Sequence, residues 1–343
     1  MFIGDSRPAG RGAGSGATFM DGARALSYPA KTLAYLQTAG FAGWDESYVG
    51  DAQNGLANLV TYNTKLTFPG AGGAPASASE SPGQGGVMAR LDANDQIDFA
   101  PGSSVDRAEV YAYTNTGFGT LRVYYNGVQV GTDWVQTTPV TTFGKTTYSF
   151  TKGTNTVRLE RVSGAARAAA LVCYASDENG YIIINAGVRE WSTADWQVAT
   201  NAASPFNSVD EYVGAGDLIF VDIGTNDVRT SVSEATFAAN YDALIVQYQA
   251  TGAYVYCCLP APAQADVVAG VSYAQIRSNI TSIASSRSAG LVDLQTASGT
   301  WAAMDAAGET VDGYHFTAPV MTRIGNLIGE TIEDHAAANG WLG

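Results

Sequence analysis

Leu218-Ile219-Phe220-Val221-Asp222-Ile223-Gly224-Thr225-Asn226-Asp227 is the stretch whose reading decides the fold. Its apolar run does not alternate, as expected for a strand buried on both faces of a parallel sheet. It ends in polar side chains, at the carboxyl edge where open α/β sheets keep their sites. Short apolar runs at 181–185, 254–259 and 291–294 read as companion strands. Helical spacing separates them: Phe237, Tyr241, Leu244, Ile245 and Tyr248 closed by Gly252, then Ile276, Ile280 and Ile283, then Val320, Ile324, Leu327, Ile328 and Ile332. At the other end of the chain, Phe2-Ile3 forms a short strand running into Gly4-Asp5-Ser6. A helix over 28–38 follows, with Pro29 in its first turn and Leu33, Tyr35 and Leu36 turned to the sheet.

Between about 45 and 177 the character changes. Gly- and Ser-rich loops separate short alternating runs such as Ala108-Glu109-Val110-Tyr111-Ala112-Tyr113 and Leu121-Arg122-Val123-Tyr124-Tyr125. Asn126-Gly127 after the second run is a strong hairpin signal. The pattern predicts an antiparallel β-sandwich, jelly-roll-like, of about eight strands. The first strand and helix then belong with the C-terminal half: residues 1–48 and 178–343 form one discontinuous α/β domain, and 49–177 are inserted into it.

The formal charge of −14, with 18 Lys and Arg spread thinly, argues against nucleic acid and anionic membranes as partners. No apolar stretch approaches the roughly 20 residues that span a bilayer. Cys257 and Cys258 are neighbours in a core strand and point to opposite faces, so they read, with Cys173, as buried thiols. Neither a disulfide framework nor a metal-ligand spacing is visible, and no metal or cofactor is expected.

The chemistry gathers at three places. Asp312-Gly313-Tyr314-His315 holds one of only two histidines in 343 residues. A neutral imidazole is a good general base, and a carboxylate three positions earlier fixes its tautomer. Ser6 after the first strand is a candidate nucleophile, and Asn226 offers an amide to a developing oxyanion.

Gly4-Asp5-Ser6, Asn185-Ala186-Gly187, Gly224-Thr225-Asn226-Asp227 and Asp312-x-x-His315 occur in the order of the motif blocks of the SGNH, or GDSL-type, hydrolases, which the chain resembles. The resemblance implies a flavodoxin-like three-layer α/β/α core with a parallel sheet and a Ser6, His315, Asp312 triad. It also implies an oxyanion hole made by the backbone N–H groups of Ser6 and Gly187 and the Asn226 side chain. The implied activity is a serine carboxylic-ester hydrolase, with removal of O-acetyl groups from a carbohydrate polymer the leading expectation. A small-ester esterase or thioesterase with a structural insert, and an inactive glycan-binding adhesin, are the alternatives.

Two departures stand out. Arg7 and Pro8 follow the serine in place of an apolar residue and Thr, and Glu190 replaces the usual second glycine of block two. Arg7 either contacts an anionic or hydroxyl-rich substrate or is a solvated loop charge. Arg189 and Trp191 are further candidate substrate contacts. Tyr111, Tyr113, Tyr124 and Trp134 are either a sugar-stacking platform or ordinary sheet-face residues. Asp5 and Asp227 are expected to bond loop amides, and His335 to face solvent near a helix end. Ser6 lies so near the start that two expectations stand: a leader or upstream domains are missing from the stretch, or the protein is cytoplasmic or exported by other means. An extracellular or virion-associated setting is then expected, as for esterase domains on phage tail fibres, with a cytoplasmic one still open. The oligomeric state is not set by the sequence.

Overall fold

Leu218–Asp222 is a strand with every residue buried. In the computed structural model, which describes residues 1–9, 23–45, 65–78, 88–187, 190–197, 211–264 and 270–341, it is the middle strand of a five-stranded parallel sheet. The order is Asn185–Gly187, Phe2–Gly4, Leu218–Asp222, Tyr254–Leu259, Gly290–Asp293. Every neighbouring pair is parallel. The order therefore reverses beside Phe2–Gly4, with the next strand in sequence on one side of it and the third on the other. A switch of that kind opens a crevice at the carboxyl edge, and Asp5 and Ser6 follow Gly4 directly into it.

The helix Tyr28–Thr38 packs on Ala318–Ala338, and Glu234–Ala250 on Tyr273–Arg287, completing the three-layer α/β/α core. The first pair is close because Gly325 and Gly329 lie at the crossing. A Cβ on Gly325 would come within 2.5 Å of Lys31 Cβ and 2.9 Å of the Thr32 nitrogen. Thr32 Oγ1 uses the proximity to donate to the Gly325 carbonyl at 3.1 Å.

The strand expected at 181–185 is displaced. Gly180–Ile183 joins Ala42–Asp45 in a separate two-stranded sheet, and Asn185–Gly187 enters the parallel sheet. Hydrophobicity alone points to the wrong residues here, because Asn185 is recruited by its hydrogen bonds. Its buried amide donates to the Pro8 carbonyl at 2.7 Å and accepts from the Gly187 N–H at 3.0 Å.

The chain divides into two compact units: Met1–Phe41, Ile183–Gln197 and Val213–Gly343 form the first, and Ala42–Ile182 with Val198–Tyr212 the second. The second holds antiparallel sheets. One of five strands contains Leu66–Thr67, Gln96–Phe99, Val157–Ser163, Thr120–Tyr125 and Val128–Val135, and one of three contains Thr142–Gly153, Val105–Thr114 and Ala170–Tyr174. Asn126 and Gly127 turn the predicted hairpin with φ of 51° and 74°, the pair of positive values a tight I′ turn requires.

Among the described residues no helix is long and apolar enough to cross a membrane.

Gly325→Val should lower the denaturant midpoint by the equivalent of about 2–3 kcal/mol, since the helix crossing has no room for a side chain. An unchanged midpoint in urea unfolding would mean that the two helices separate freely.

Candidate active site

The loop after the first strand is shaped by its own residues. Asp5 Oδ1 accepts the Arg7 N–H at 3.0 Å, folding residues 5–9 back over the strand ends. Two glycines make the space: a Cβ on Gly4 would lie 2.4 Å from Pro8 Cγ, and one on Gly187 2.5 Å from the Ala9 nitrogen. Ser6 is thereby held at the switch point, only 2% exposed.

The partner loop is equally constrained. Thr310 and Phe316 form an antiparallel bridge, Val311 N–H donates to the His315 carbonyl at 3.0 Å, and Thr317 N–H to Glu309 at 2.9 Å. Asp312 Oδ1 accepts the Tyr314 and His315 N–H groups at 2.8 and 2.9 Å. Both of its oxygens lie 2.8 Å from His315 Nδ1. Across the crevice, Ser6 Oγ is 2.7 Å from His315 Nε2. With Asp312 ionised, Nδ1 carries the ring proton and Nε2 accepts from the serine. Partial burial opposes the charge on Asp312. The hydrogen bonds and charge of the His315 ring, with the two backbone N–H groups, outweigh it and hold the carboxyl well below its ordinary range.

Gly224, at φ 138°, starts the short helix Thr225–Arg229 that carries Asn226 and Asp227. Arg229 Nη1 donates to Asn226 Oδ1 at 2.8 Å, which turns the amide nitrogen toward the Trp191 carbonyl, 3.0 Å away. One N–H of that amide is so used. Asp227 accepts the Thr193 N–H and hydroxyl at 3.0 and 2.6 Å, tying down the loop that holds Trp191. Burial pushes the Asp227 carboxyl up to about 6 against the lowering effect of these bonds. Asp222 behind Ser6 is pushed up to about 7 by burial and by the charge of Asp5, partly offset by the Arg7 charge and by the Tyr28 hydroxyl that bonds it at 3.0 Å.

Ser6, His315 and Asp312 thus form one hydrogen-bonded chain, Asn226 follows the neighbouring strand Leu218–Asp222 at the same edge of the sheet, and Asp5 and Asp227 bond loop amides. Several other expectations need correction. The Gly187 N–H, implied as an oxyanion donor, donates to Asn185 Oδ1 at 3.0 Å in this structure. Glu190 takes the glycine-like φ of 62° in that loop. Arg7 is neither a substrate contact nor a solvated charge. It is buried, with its donors on protein acceptors. Trp191 is buried edge-on against Trp196 and presents no open ring face. Arg189 lies outside the described residues. Nor do the four aromatics of the second unit make a platform. Tyr111 stacks on Tyr212 and Tyr113 packs on Phe143, both buried. Trp134 pairs with Leu121, and so lies on the face opposite Tyr124, because neighbouring strand residues alternate. His335 is half-buried against Tyr254 and Trp341, with Nδ1 2.8 Å from the Tyr256 hydroxyl, rather than facing solvent.

Sequence reasoning missed Arg229, although an Arg three residues after Asn226 on one helix is a readable signal. It also missed Tyr28 on Asp222 and Thr193 on Asp227, for which the sequence carries none. Among the described residues no group of three His, Cys, Asp or Glu side chains is placed to hold a metal ion.

The model of the GDSL-like lipase/acylhydrolase family matches residues 149–322, just over half of the chain. The chain belongs to this family. Ser6 lies outside the matched stretch, so its part in this SGNH hydrolase rests on the geometry above. A solved structure described as a peptidoglycan O-acetylesterase in action is similar at a TM-score of 0.66 and 14% identity, covering 98% of this chain and 91% of that one. A family two carbohydrate esterase from Clostridium thermocellum in complex with cellohexaose matches at TM-score 0.33 and 12% identity, covering 81% and 100%. The psychrotrophic esterase EstA from Pseudoalteromonas sp. matches at TM-score 0.35 and 16% identity, covering 46% and 79%. The fold likeness rests on the first alone. No curated protein matches the sequence.

The raised Asp222 carboxyl sets a pH dependence of stability. Folded Asp222 holds its proton better than the unfolded chain does, so its contribution is full below about pH 4 and is lost as pH rises toward 7. Asp222→Asn removes this loss. Relative to the variant, the wild type should therefore lose stability as pH rises from 4 to 8 in urea unfolding. Parallel stability curves for the two proteins would contradict it.

Proposed function

We propose that the protein is a serine esterase that removes O-acetyl groups from a carbohydrate polymer. The observation that carries the reading is the hydrogen-bonded chain from Ser6 Oγ through His315 to Asp312, at 2.7 and 2.8 Å. Ser6 Oγ attacks the acetyl carbonyl as His315 Nε2 takes its proton. The Asn226 amide and the Ser6 N–H stabilise the oxyanion that forms. The intermediate collapses with cleavage of the carbonyl carbon's bond to the sugar oxygen, which receives the proton from His315. Water, deprotonated by His315, then attacks the acetyl-serine and releases acetate and free Ser6. Asp312 keeps the imidazole in the required tautomer and stabilises its charged form.

The carbohydrate part is supported by the neighbour of similar fold, which acts on peptidoglycan by its description. It is also supported by a cavity of about 590 Å³ beside the base loop, lined by Gln264, Tyr273, Arg277 and Gln295 among others. Gln264 N–H donates to the Gly313 carbonyl at 2.9 Å, so this wall adjoins the Asp312–His315 turn. Side chains with amide and guanidinium donors suit sugar hydroxyls. In this reading residues 1–48 and 178–343 are the catalytic domain and 49–177 an inserted module that holds polymer near it. Burial of Tyr111 and Tyr113 favours a second reading, an esterase for small acyl substrates in which the insert is structural.

Acetate release from a panel of acetylated glycans, beside p-nitrophenyl acetate, separates the two. The first expects faster turnover on one glycan, and equal or lower rates on every glycan favour the second. Ser6→Ala should abolish both activities with the fold intact, and retention of a tenth of wild-type turnover would sink the mechanism. Asp312→Asn should lower kcat by about 100-fold or more on p-nitrophenyl acetate. An unchanged rate would place the orienting carboxylate elsewhere.

A further inference from the structure

Ser6 and His315 lie on loops from opposite ends of the chain, and a 2.7 Å hydrogen bond alone does not hold two loops in register. The residue next to Ser6 does so. Arg7 Nε donates to the Tyr314 carbonyl at 3.1 Å, Nη1 to the Ala261 carbonyl at 2.7 Å and Nη2 to the Tyr273 hydroxyl at 3.4 Å. Its guanidinium carbon lies 4.8 Å from the centre of the Phe316 ring. Tyr314 and Phe316 are the residues on either side of His315. The side chain adjoining Ser6 therefore grips the base loop both before and after the imidazole, while Ala261 anchors it to the residues after the Tyr254–Leu259 strand.

We infer that Arg7 is a positioning residue, a buried clamp that sets the distance between Ser6 and His315. Its catalytic consequence rests on the esterase reading; its structural consequence does not. Only a guanidinium suits the place. Its flat fork aims three donors at acceptors in different directions, and its face stacks on an aromatic ring, whereas a lysine ammonium is a point charge with neither property. Burying a guanidinium among two carbonyls and a hydroxyl, with no carboxylate hydrogen-bonded to it among the described residues, is a costly way to fill space, and an apolar residue would do that more cheaply. The expense is consistent with a role in geometry.

The test compares Arg7→Met, Arg7→Lys and Tyr273→Phe with the wild type, each first shown folded by circular dichroism. On p-nitrophenyl acetate, Arg7→Met should lose about 10- to 100-fold in kcat with KM within about twofold, since loosening the reacting pair by an ångström has that effect on chemistry but little on binding. Arg7→Lys should recover less than a tenth of the lost kcat. Tyr273→Phe, which deletes one acceptor and keeps the ring, should lose about two- to fivefold in kcat and serves if Arg7→Met does not fold. A second readout is independent of turnover: the proton NMR signal of the His315 Nδ1–H, assigned with His335→Gln. It should be visible in the wild type and broadened or lost in Arg7→Met, or in Tyr273→Phe if only that variant folds. Folded variants with more than half of wild-type kcat, or with an unchanged His315 signal, overturn the clamp. A wild type that hydrolyses no ester while the signal still depends on Arg7 overturns the esterase reading and leaves the clamp standing.

Discussion

A hydrogen bond of 2.7 Å joins Ser6 to His315 across 309 residues of chain, and most of the first unit is arranged so that it forms. Such a bond requires two loops, each rigid on its own account, to arrive at one point. The parallel sheet supplies the first condition by placing Phe2–Gly4 where the strand order reverses, so that Ser6 emerges into a crevice and not into a packed layer. The Asp312 carboxylate supplies the second. By accepting from two backbone N–H groups as well as from the ring, it makes the turn and the base a single object.

Glycine does much of the remaining work by absence. Gly4 and Gly187 let residues 5–9 lie across the strand ends, and Gly325 lets the last helix approach Tyr28–Thr38. That helix begins immediately after the His315 loop, so its docking also fixes where the loop ends. Buried carboxylates hold the rest. Asp227 ties down the Trp191 loop, whose carbonyl orients Asn226, and Asp222 lies behind the nucleophile with its charge disfavoured by burial. These groups cost stability at neutral pH and are tolerated next to a site whose geometry they define.

Much was legible in the sequence. The apolar run ending in Gly224-Thr225-Asn226-Asp227, the Asp312-x-x-His315 spacing, the glycine-closed helices and the Asn126-Gly127 hairpin are local patterns. Their physics, strand burial, a three-residue turn and positive φ, operates within a few residues. Order along the chain then linked Ser6 to His315 through the family resemblance.

What the sequence alone determined is therefore most of the core elements and their parallel arrangement, with Ser6, Asn226, Asp312 and His315 as the candidate site residues. Tertiary structure decided which surfaces those elements bury. Tyr111 and Tyr113 look like a platform until Phe143 and Tyr212 cover them, and Arg7 looks like a surface charge until Ala261, Tyr273 and Tyr314 surround it. The Gly187 N–H looks available until Asn185 takes it. Whether a polar or aromatic group faces a ligand or another part of the chain depends on partners far away in sequence, and no local pattern encodes them.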